Sequence, residues 1–267
     1  MDNFNNNFSA KKSLGQNFIH SPNVISTMAH AAKIKMEDKI LEVGPGKGAL
    51  TKKLLETGAH VTVVEKDDRA ISFLYEKFAE EIKNRQLEIV HADILEYDET
   101  KYEKGYLLIA NIPYYITGEF LRKFLESANQ PSRMALMLQR EVAKRIVDTK
   151  ESILSISVKV YGTPKYILSV PRKHFRPMPN VDSAILLIEN INKNFFINSG
   201  ISEKYFFGII KTAFAHKRKV VISNLEEKIA RNDLENLWER EKWSRNARAE
   251  NMTLAMWKKI VGDKPLS

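Results

Sequence analysis

The chain has 267 residues, 43% of them hydrophobic, enough for one large domain or a main domain with a smaller appendage. It contains no cysteine, which excludes disulfides, thiolate catalysis and thiolate zinc sites. Its 42 basic and 33 acidic residues give a formal charge of +9, which points to an anionic partner such as nucleic acid or a membrane surface.

The start, MDNFNNNFSAKK (1–12), is rich in Asn and then Lys, lacks the apolar core of a signal peptide and reads as a mobile tail. Residues 22–36 read as a helix, with Ser21 as N-cap before Pro22. Short apolar runs then alternate with helical patterns. KILEVG (39–44) reads as a strand and ALTKKLLETG (49–58) as a helix that ends at Gly58. Strand VTVVEKD (61–67) precedes helix RAISFLYEKFAEEIK (69–83), and strands LEIVHAD (87–93) and YLLIANI (106–112) follow. Helix EFLRKFLESA (119–128), strand MALMLQ (134–139) and helix REVAKRIV (140–147) complete the alternation. SISVKVYG (155–162) and SAILLIEN (183–190), separated by a proline-bearing segment, read as two added antiparallel strands. Unbroken apolar strands alternating with helices predict an α/β, doubly wound, mostly parallel sheet of seven strands over residues 1–190. From residue 203 the pattern changes: Tyr205, Phe206, Ile209, Ile210, Ala213 and Phe214 follow helical spacing, so residues 191–267 read as a small helical domain.

EVGPGKG (42–48) joins the first strand of the sheet to its helix. Gly44, Gly46 and Gly48 allow a sharp turn and a close approach of backbone to ligand, beside the free N–H groups of a helix start. The spacing is neither that of a phosphate loop, because Lys47 lies between glycines, nor G-x-G-x-x-G, which weakens a nicotinamide reading. Glu65 ends the next strand, where an acid would accept hydrogen bonds from both ribose hydroxyls of a nucleoside. Asp93 ends the third, where it could accept from an adenine amine. Singly, each could be a tight turn or a solvated acid. In order at three strand ends they point to a nucleoside cofactor, and S-adenosylmethionine fits better than NAD.

ANIPYYITG (110–118) ends the fourth strand. The Asn111 amide oxygen can accept a hydrogen bond, and Pro113 fixes its own φ so that the Ile112 carbonyl can be aimed. Tyr114 offers a π face beside both acceptors. Together they match an adenine presented edge-on: two acceptors for the exocyclic amine and a ring to stack on. Two acceptors pulling on the amine hydrogens favour a tetrahedral nitrogen whose lone pair can reach a methyl group, and the tyrosine face would stabilise the developing positive charge. The competing reading is a structural turn with both tyrosines in the core, and Tyr115 is expected to be structural, supporting the wall.

These blocks resemble class I S-adenosylmethionine methyltransferases and, more narrowly, the rRNA adenine N6-dimethyltransferases of the KsgA type, with the Erm enzymes as close cousins. The resemblance runs through KKSLGQNFI (11–19), EVGPGKGALT (42–51), ANIPYYIT (110–117), MLQREVAKRIV (137–147), FRPMPNVDSAI (175–185), AFAHKRKVVISNL (213–225) and RNARAENMTL (245–254), nearly the whole chain in order. It implies a Rossmann-like catalytic domain with a C-terminal helical, rRNA-binding domain. It implies that Asn17 and Ile19 close over the cofactor, while Gly44 and Gly46, Glu65, and Asp93 meet its amino-acid part, ribose and adenine. Asn111 would touch both the methionine portion and the target base. Asn111, Ile112, Pro113 and Tyr114 would hold the target adenine, and Phe175 would stack on its other face; on the residues alone, Phe175 is a loop aromatic packed on prolines. FRPMPNVDSA, LQREVAKR and HKRKVVISNL look like the KsgA type, which dimethylates two adjacent adenosines in the terminal hairpin loop of small-subunit rRNA. One departure is Glu151-Ser152-Ile153-Leu154-Ser155, where the family reads Y-G-x-L-S, so a local RNA contact there is not carried over.

Basic clusters at Lys11-Lys12, Arg140/Lys144/Arg145, Arg172/Lys173 and His216–Lys219 are each consistent with a solvated face; flanking a base pocket they form an RNA track. The target base must leave its stack to enter, at lower cost in a hairpin loop. The histidines show no metal-ligand spacing, no run is long enough to span a bilayer, and a cytoplasmic monomer without metal is expected. Two readings compete: an enzyme acting on large-subunit rRNA or DNA adenine, and a non-catalytic RNA- or DNA-binding factor on the same fold.

Overall fold

The computed structural model describes residues 8–102 and 104–262; the tail expected over residues 1–12 lies in part outside the described residues. Two compact units are present, one built from residues up to 143 with 163–191, the other from 144–162 with residues from 192 on. The segment 144–162 therefore packs with the helical region that the sequence places at 191–267.

The first unit holds a seven-stranded sheet. Its strands are β2 (Lys39–Val43), β3 (His60–Glu65), β4 (Leu87–His91), β5 (Leu107–Asn111), β6 (Arg133–Gln139), β7 (Thr163–Val170) and β9 (Ser183–Glu189), in the order β4-β3-β2-β5-β6-β9-β7. A separate two-stranded ribbon pairs β1 (Phe18–Ile19) with β8 (Phe175–Arg176). Strands β4 to β6 run parallel, and β9 is antiparallel to both β6 and β7. The central strands β2, β5 and β6 are largely apolar because both faces are covered: Ile40, Leu41, Leu108, Ile109, Met134 and Leu136 have no exposed surface, whereas the edge strand β4 exposes Glu88 and His91. From β2 the chain adds strands outward in one direction, to β3 and β4, and then returns to place β5 on the other side of β2. The carboxyl ends of β2 and β5 thus form the switch point at which such sheets open a crevice for ligands.

Helices α1 (Pro22–Ala31), α2 (Ala49–Leu55), α3 (Asp68–Lys77), α4 (Ala79–Lys83), α5 (Thr117–Glu126) and α6 (Arg140–Val147) occupy the connections. The helix expected over 22–36 stops at Ala31, and the one expected over 69–83 breaks at Phe78, which is buried against the glycine loop.

One strand assignment is corrected. Residues 155–162 do not form a strand; α7 spans Ile153–Lys159 and the sixth strand of the sheet is the later, proline-bearing segment. A capping box overrides the alternating pattern of SISVKVYG. The Ser152 hydroxyl accepts from the Ser155 backbone N–H at 3.1 Å, and the Ser155 hydroxyl accepts from Ser152 N–H at 2.7 Å. Pro164 is tolerated in β7 because that strand is the sheet edge.

The second unit, with α7, contains α8 (Asn194–Ser199), α9 (Glu203–Ala213), α10 (Val221–Leu225), α11 (Arg231–Arg240) and α12 (Leu254–Gly262). Phe206, Ile209, Ile210 and Ala213 of α9 are buried, as their helical spacing requires. Phe196 packs on Phe206 with ring centroids 5.6 Å apart and on Tyr161 at 5.4 Å, and Tyr161 donates to Glu203 at 2.8 Å. Among the described residues no helix is long and apolar enough to cross a membrane.

Candidate active site

A cavity opens over the carboxyl ends of β2, β3, β4 and β5, bounded by the strand ends, the glycine loop and the segment before β1. Of the residues the sequence points to, Asn17, Gly44, Gly46, Glu65, Asp93, Asn111, Ile112, Pro113 and Tyr114 line it.

The loop after β2 takes the left-handed conformation three times, at Gly44 (φ 67°), Gly46 (φ 54°) and Gly48 (φ 68°). Each glycine has its own reason. A Cβ on Gly46 would sit 2.6 Å from the Phe18 ring, and one on Gly48 would sit 2.5 Å from Phe78. A Cβ on Gly44 would meet only the Asn111 carbonyl, at 3.8 Å, so the space above Gly44 belongs to the cavity.

Glu65 is buried at the end of β3. Its carboxylate accepts from the backbone N–H groups of Gly46 (3.1 Å), Lys66 (2.9 Å) and Asp67 (2.9 Å), which ties the strand end to the glycine loop. Burial pushes its carboxyl above the ordinary value, and the backbone donors offset part of that. Asp93 accepts from Leu95 N–H at 2.9 Å and pairs with the Lys66 ammonium at 2.5 Å. That pairing holds its carboxyl below the ordinary value, so it stays an acceptor at neutral pH.

At the end of β5 the Asn111 amide nitrogen donates to the Asn17 carbonyl at 2.9 Å. This fixes the amide of a residue that lines the cavity and leaves its oxygen as the acceptor. Ile112 donates its N–H to Met137 on β6 at 3.1 Å, and Pro113 follows with φ −56°. Tyr114 begins a 3₁₀ turn (Tyr114–Ile116) and its hydroxyl lies 2.7 Å from the Ser183 hydroxyl at the start of β9. Burial pushes the phenol above its ordinary value, so the ring is neutral at physiological pH.

The segment before β1 is fastened at several points. Gln16 donates to Asp67 at 2.9 Å, and the Arg69 guanidinium holds the same carboxylate at 2.6 Å while donating to the Ser9 carbonyl at 3.0 Å. Arg69 holds Asp67 well below the usual carboxylate range.

Three expectations are corrected. Ile19 does not line the cavity; it is buried in the hydrophobic core, and Phe18 lines the cavity in its place. Adjacent strand residues face opposite ways, and the pairing of Ile19 with Phe175 turns both toward the core. Phe175 is 2% exposed and does not line the cavity, so in this conformation it offers no face to a base. Tyr115 is not a buried part of the wall: the residue is 69% exposed and lines the cavity.

Sequence reasoning missed Phe18, Gln16, Lys66 and Asp67. Phe18 and Gln16 lie within the quoted QNFI region but carry no spacing signal of their own, and the acid at 67 was absorbed into a strand. It also passed over Glu42, which begins the glycine motif. Glu42 is fully buried beneath the loop with one carboxylate oxygen unpartnered, and burial raises its pKa to about 8.

The sequence profile of the family described as Ribosomal RNA adenine dimethylase matches residues 7–262. Ribosomal RNA small subunit methyltransferase A of Dehalococcoides mccartyi strain CBDB1 is 38% identical over 258 residues, 94% of this chain and 87% of that protein. The protein of the same name from Fusobacterium nucleatum is 34% identical, covering 95% of this chain and 97% of its own. Among solved structures, a dimethyladenosine transferase from Plasmodium falciparum superposes with a TM-score of 0.76 at 24% identity, covering 91% of this chain and 95% of that one. The 23S rRNA methyltransferase ErmE gives 0.75 at 22% identity, with 92% and 98% covered. These two likenesses establish the fold.

Proposed function

This chain belongs to the ribosomal RNA adenine dimethylase family, and on that premise we propose that it methylates N6 of two adjacent adenosines in the terminal hairpin loop of small-subunit rRNA, with S-adenosylmethionine as donor. The observation that carries the reading is the end of β5, where Asn111, its amide nitrogen held by the Asn17 carbonyl, lines with Ile112 and Tyr114 the same cavity as Gly44, Glu65 and Asp93. The small-subunit assignment rests on the names of the relatives at 34–38% identity, which match 94–95% of the chain.

The residues present fit the cofactor. The open space above Gly44 accommodates its amino-acid part, Glu65 offers a carboxylate for ribose hydroxyls and Asp93 an acceptor for the adenine amine. When bound, it supplies an electrophilic methyl group on a sulfonium. Asn111 and the Ile112 carbonyl accept the two N–H hydrogens of the target amine. Both contacts draw the nitrogen toward a tetrahedral form and direct its lone pair at the methyl carbon. The Tyr114 face, held by Ser183, lies against the base as positive charge develops. Once the N–C bond has formed, the nitrogen loses one proton to solvent, so no strong base is required. Removing one of two hydrogens leaves one for the second methylation.

We assign residues 1–190 the catalytic role and 191–267 an rRNA-binding role, with the protein acting as a cytoplasmic monomer without metal. Mass spectrometry of rRNA nucleosides after incubation with unmethylated small subunits and cofactor tests the proposal. Dimethyladenosine at two neighbouring positions is the expected product; methylation only of large-subunit RNA, or of neither, overturns it.

A further inference from the structure

Tyr115 is the one residue of the NIPYY turn with most of its side chain in solvent. The 3₁₀ turn separates successive side chains by about 120°, so Tyr114 is directed to Ser183 while Tyr115 is directed outward. An exposed tyrosine is ordinary on its own; three observations make this one unusual.

The first is place. Tyr115 lines the mouth of the same cavity as Asn111, Pro113 and Tyr114. The second is support. Gly15 has φ +61°, and a Cβ there would lie 3.1 Å from the Tyr115 ring and 3.4 Å from Pro113. The backbone of the segment before β1 therefore packs directly on the ring and gives it a backing on one side. The third is its setting: Met178 and Val181, on the segment that leads to Ser183, are also exposed, at 57% and 42%. That segment approaches Tyr114 through the Ser183 hydroxyl.

We infer that Tyr115 is a stacking platform for the nucleobase adjacent to the target adenosine in the RNA strand. This rests on the functional reading above. A target drawn from a single-stranded loop leaves its stack together with its neighbour's stacking partner, and an aromatic ring beside the pocket replaces that partner whatever the base. The competing occupant is the cofactor, because Tyr115 lines the same cavity as Asp93, Ile94 and Leu95 and lies near Lys66, the partner of Asp93. A ring 69% exposed presents most of its surface outside the cavity, which favours the RNA. On this inference Tyr115 is a positioning residue for the RNA, and the cofactor affinity of the Ala variant separates the two occupants.

The test compares wild type, Tyr115→Ala and Tyr115→Phe on unmethylated small subunits and on a loop RNA carrying 2-aminopurine beside the target adenosine. For Tyr115→Ala, KM for RNA rises about 5- to 150-fold, the loss of one base stack. Its kcat at saturating RNA stays within about twofold and calorimetric cofactor affinity is unchanged. Binding quenches the 2-aminopurine in wild type and Tyr115→Phe, and the quench is lost in Tyr115→Ala. An unchanged KM and quench in Tyr115→Ala overturns the inference, as does a weakened cofactor affinity with RNA binding intact. Should wild type itself leave small-subunit RNA unmethylated, the functional reading fails and the inference with it. That outcome is distinct from a fully active wild type matched by a fully active Tyr115→Ala.

Discussion

Asn111 and Asn17 lie 94 residues apart in the chain, and the Asn111 side-chain amide donates to the Asn17 carbonyl at 2.9 Å. One hydrogen bond thereby orients the amide oxygen at the end of β5 and anchors the N-terminal segment across the cavity. Replacing Asn111 with Ala removes both. Methyl transfer to small-subunit RNA should fall by about 10²- to 10³-fold, the usual cost of one aimed polar contact in a transition state. Tyr114→Ala should abolish methylation while cofactor affinity largely survives. Labelled-methyl incorporation and calorimetry on the two variants check this, and a Tyr114→Ala enzyme with full activity would end the stacking account.

Glu65 satisfies three backbone donors and faces the cavity, so its variants should separate two roles. Glu65→Gln loses the charge and turns one of the two oxygens that accept from backbone N–H groups into an NH2 donor facing such a group. Its cofactor affinity should drop about tenfold, with a modest fall in Tm. Glu65→Ala should weaken the cofactor further and also lower Tm, because buried N–H groups lose their partners. Calorimetry showing wild-type affinity in both variants would refute the ribose role.

Glu42 makes stability depend on pH in an unusual direction. Its pKa is about 8 in the folded protein, against an ordinary 4.5. Between those values the folded chain holds a proton that the unfolded chain releases, so this residue's contribution falls as pH rises through the window. The penalty is complete above about pH 8 and absent below about pH 4.5. Glu42→Gln should match wild type in Tm near pH 5 and exceed it by several degrees at pH 8.5. A difference that stays constant across the range would contradict the buried-acid account.

The glycines should divide by effect. Gly48→Ala drives a Cβ to within 2.5 Å of Phe78 at a positive φ, so it should cost about 1–3 kcal/mol in denaturant unfolding. Gly44→Ala carries the same positive-φ strain, but its added Cβ meets nothing closer than 3.8 Å, and the group enters the cofactor space. Its larger effect should be on cofactor affinity, measured by calorimetry. The opposite ranking would show that the loop's role is structural throughout.

Much of the molecule was readable in one dimension. Short apolar runs located six of the seven sheet strands; the central ones are apolar because both of their faces are covered, and the edge strand β4 keeps only Leu87, Ile89 and Val90 as its apolar signal. The glycines, the two acids and Asn111–Tyr114 were readable because each sits where a strand ends, and the sheet itself brings those ends to one edge. The misplaced strand has a local cause: SISVKVYG alternates like a strand, but a pair of serine caps turns it into α7.

What only the tertiary structure decided is which way particular side chains face. A two-residue strand has no period to read, so nothing in QNFI says that Phe18 faces the cavity and Ile19 the core. That is set by pairing with Phe175 and Arg176, more than 150 residues later. The same pairing carries Phe175 into the core, although its proline-rich loop looks exposed in the sequence. Tyr114 and Tyr115, identical and adjacent, are separated by the rotation of one 3₁₀ turn and by Ser183 on a distant strand. Composition and spacing fix which chemical groups arrive at a strand end; long-range pairing fixes which of them turn toward the ligand.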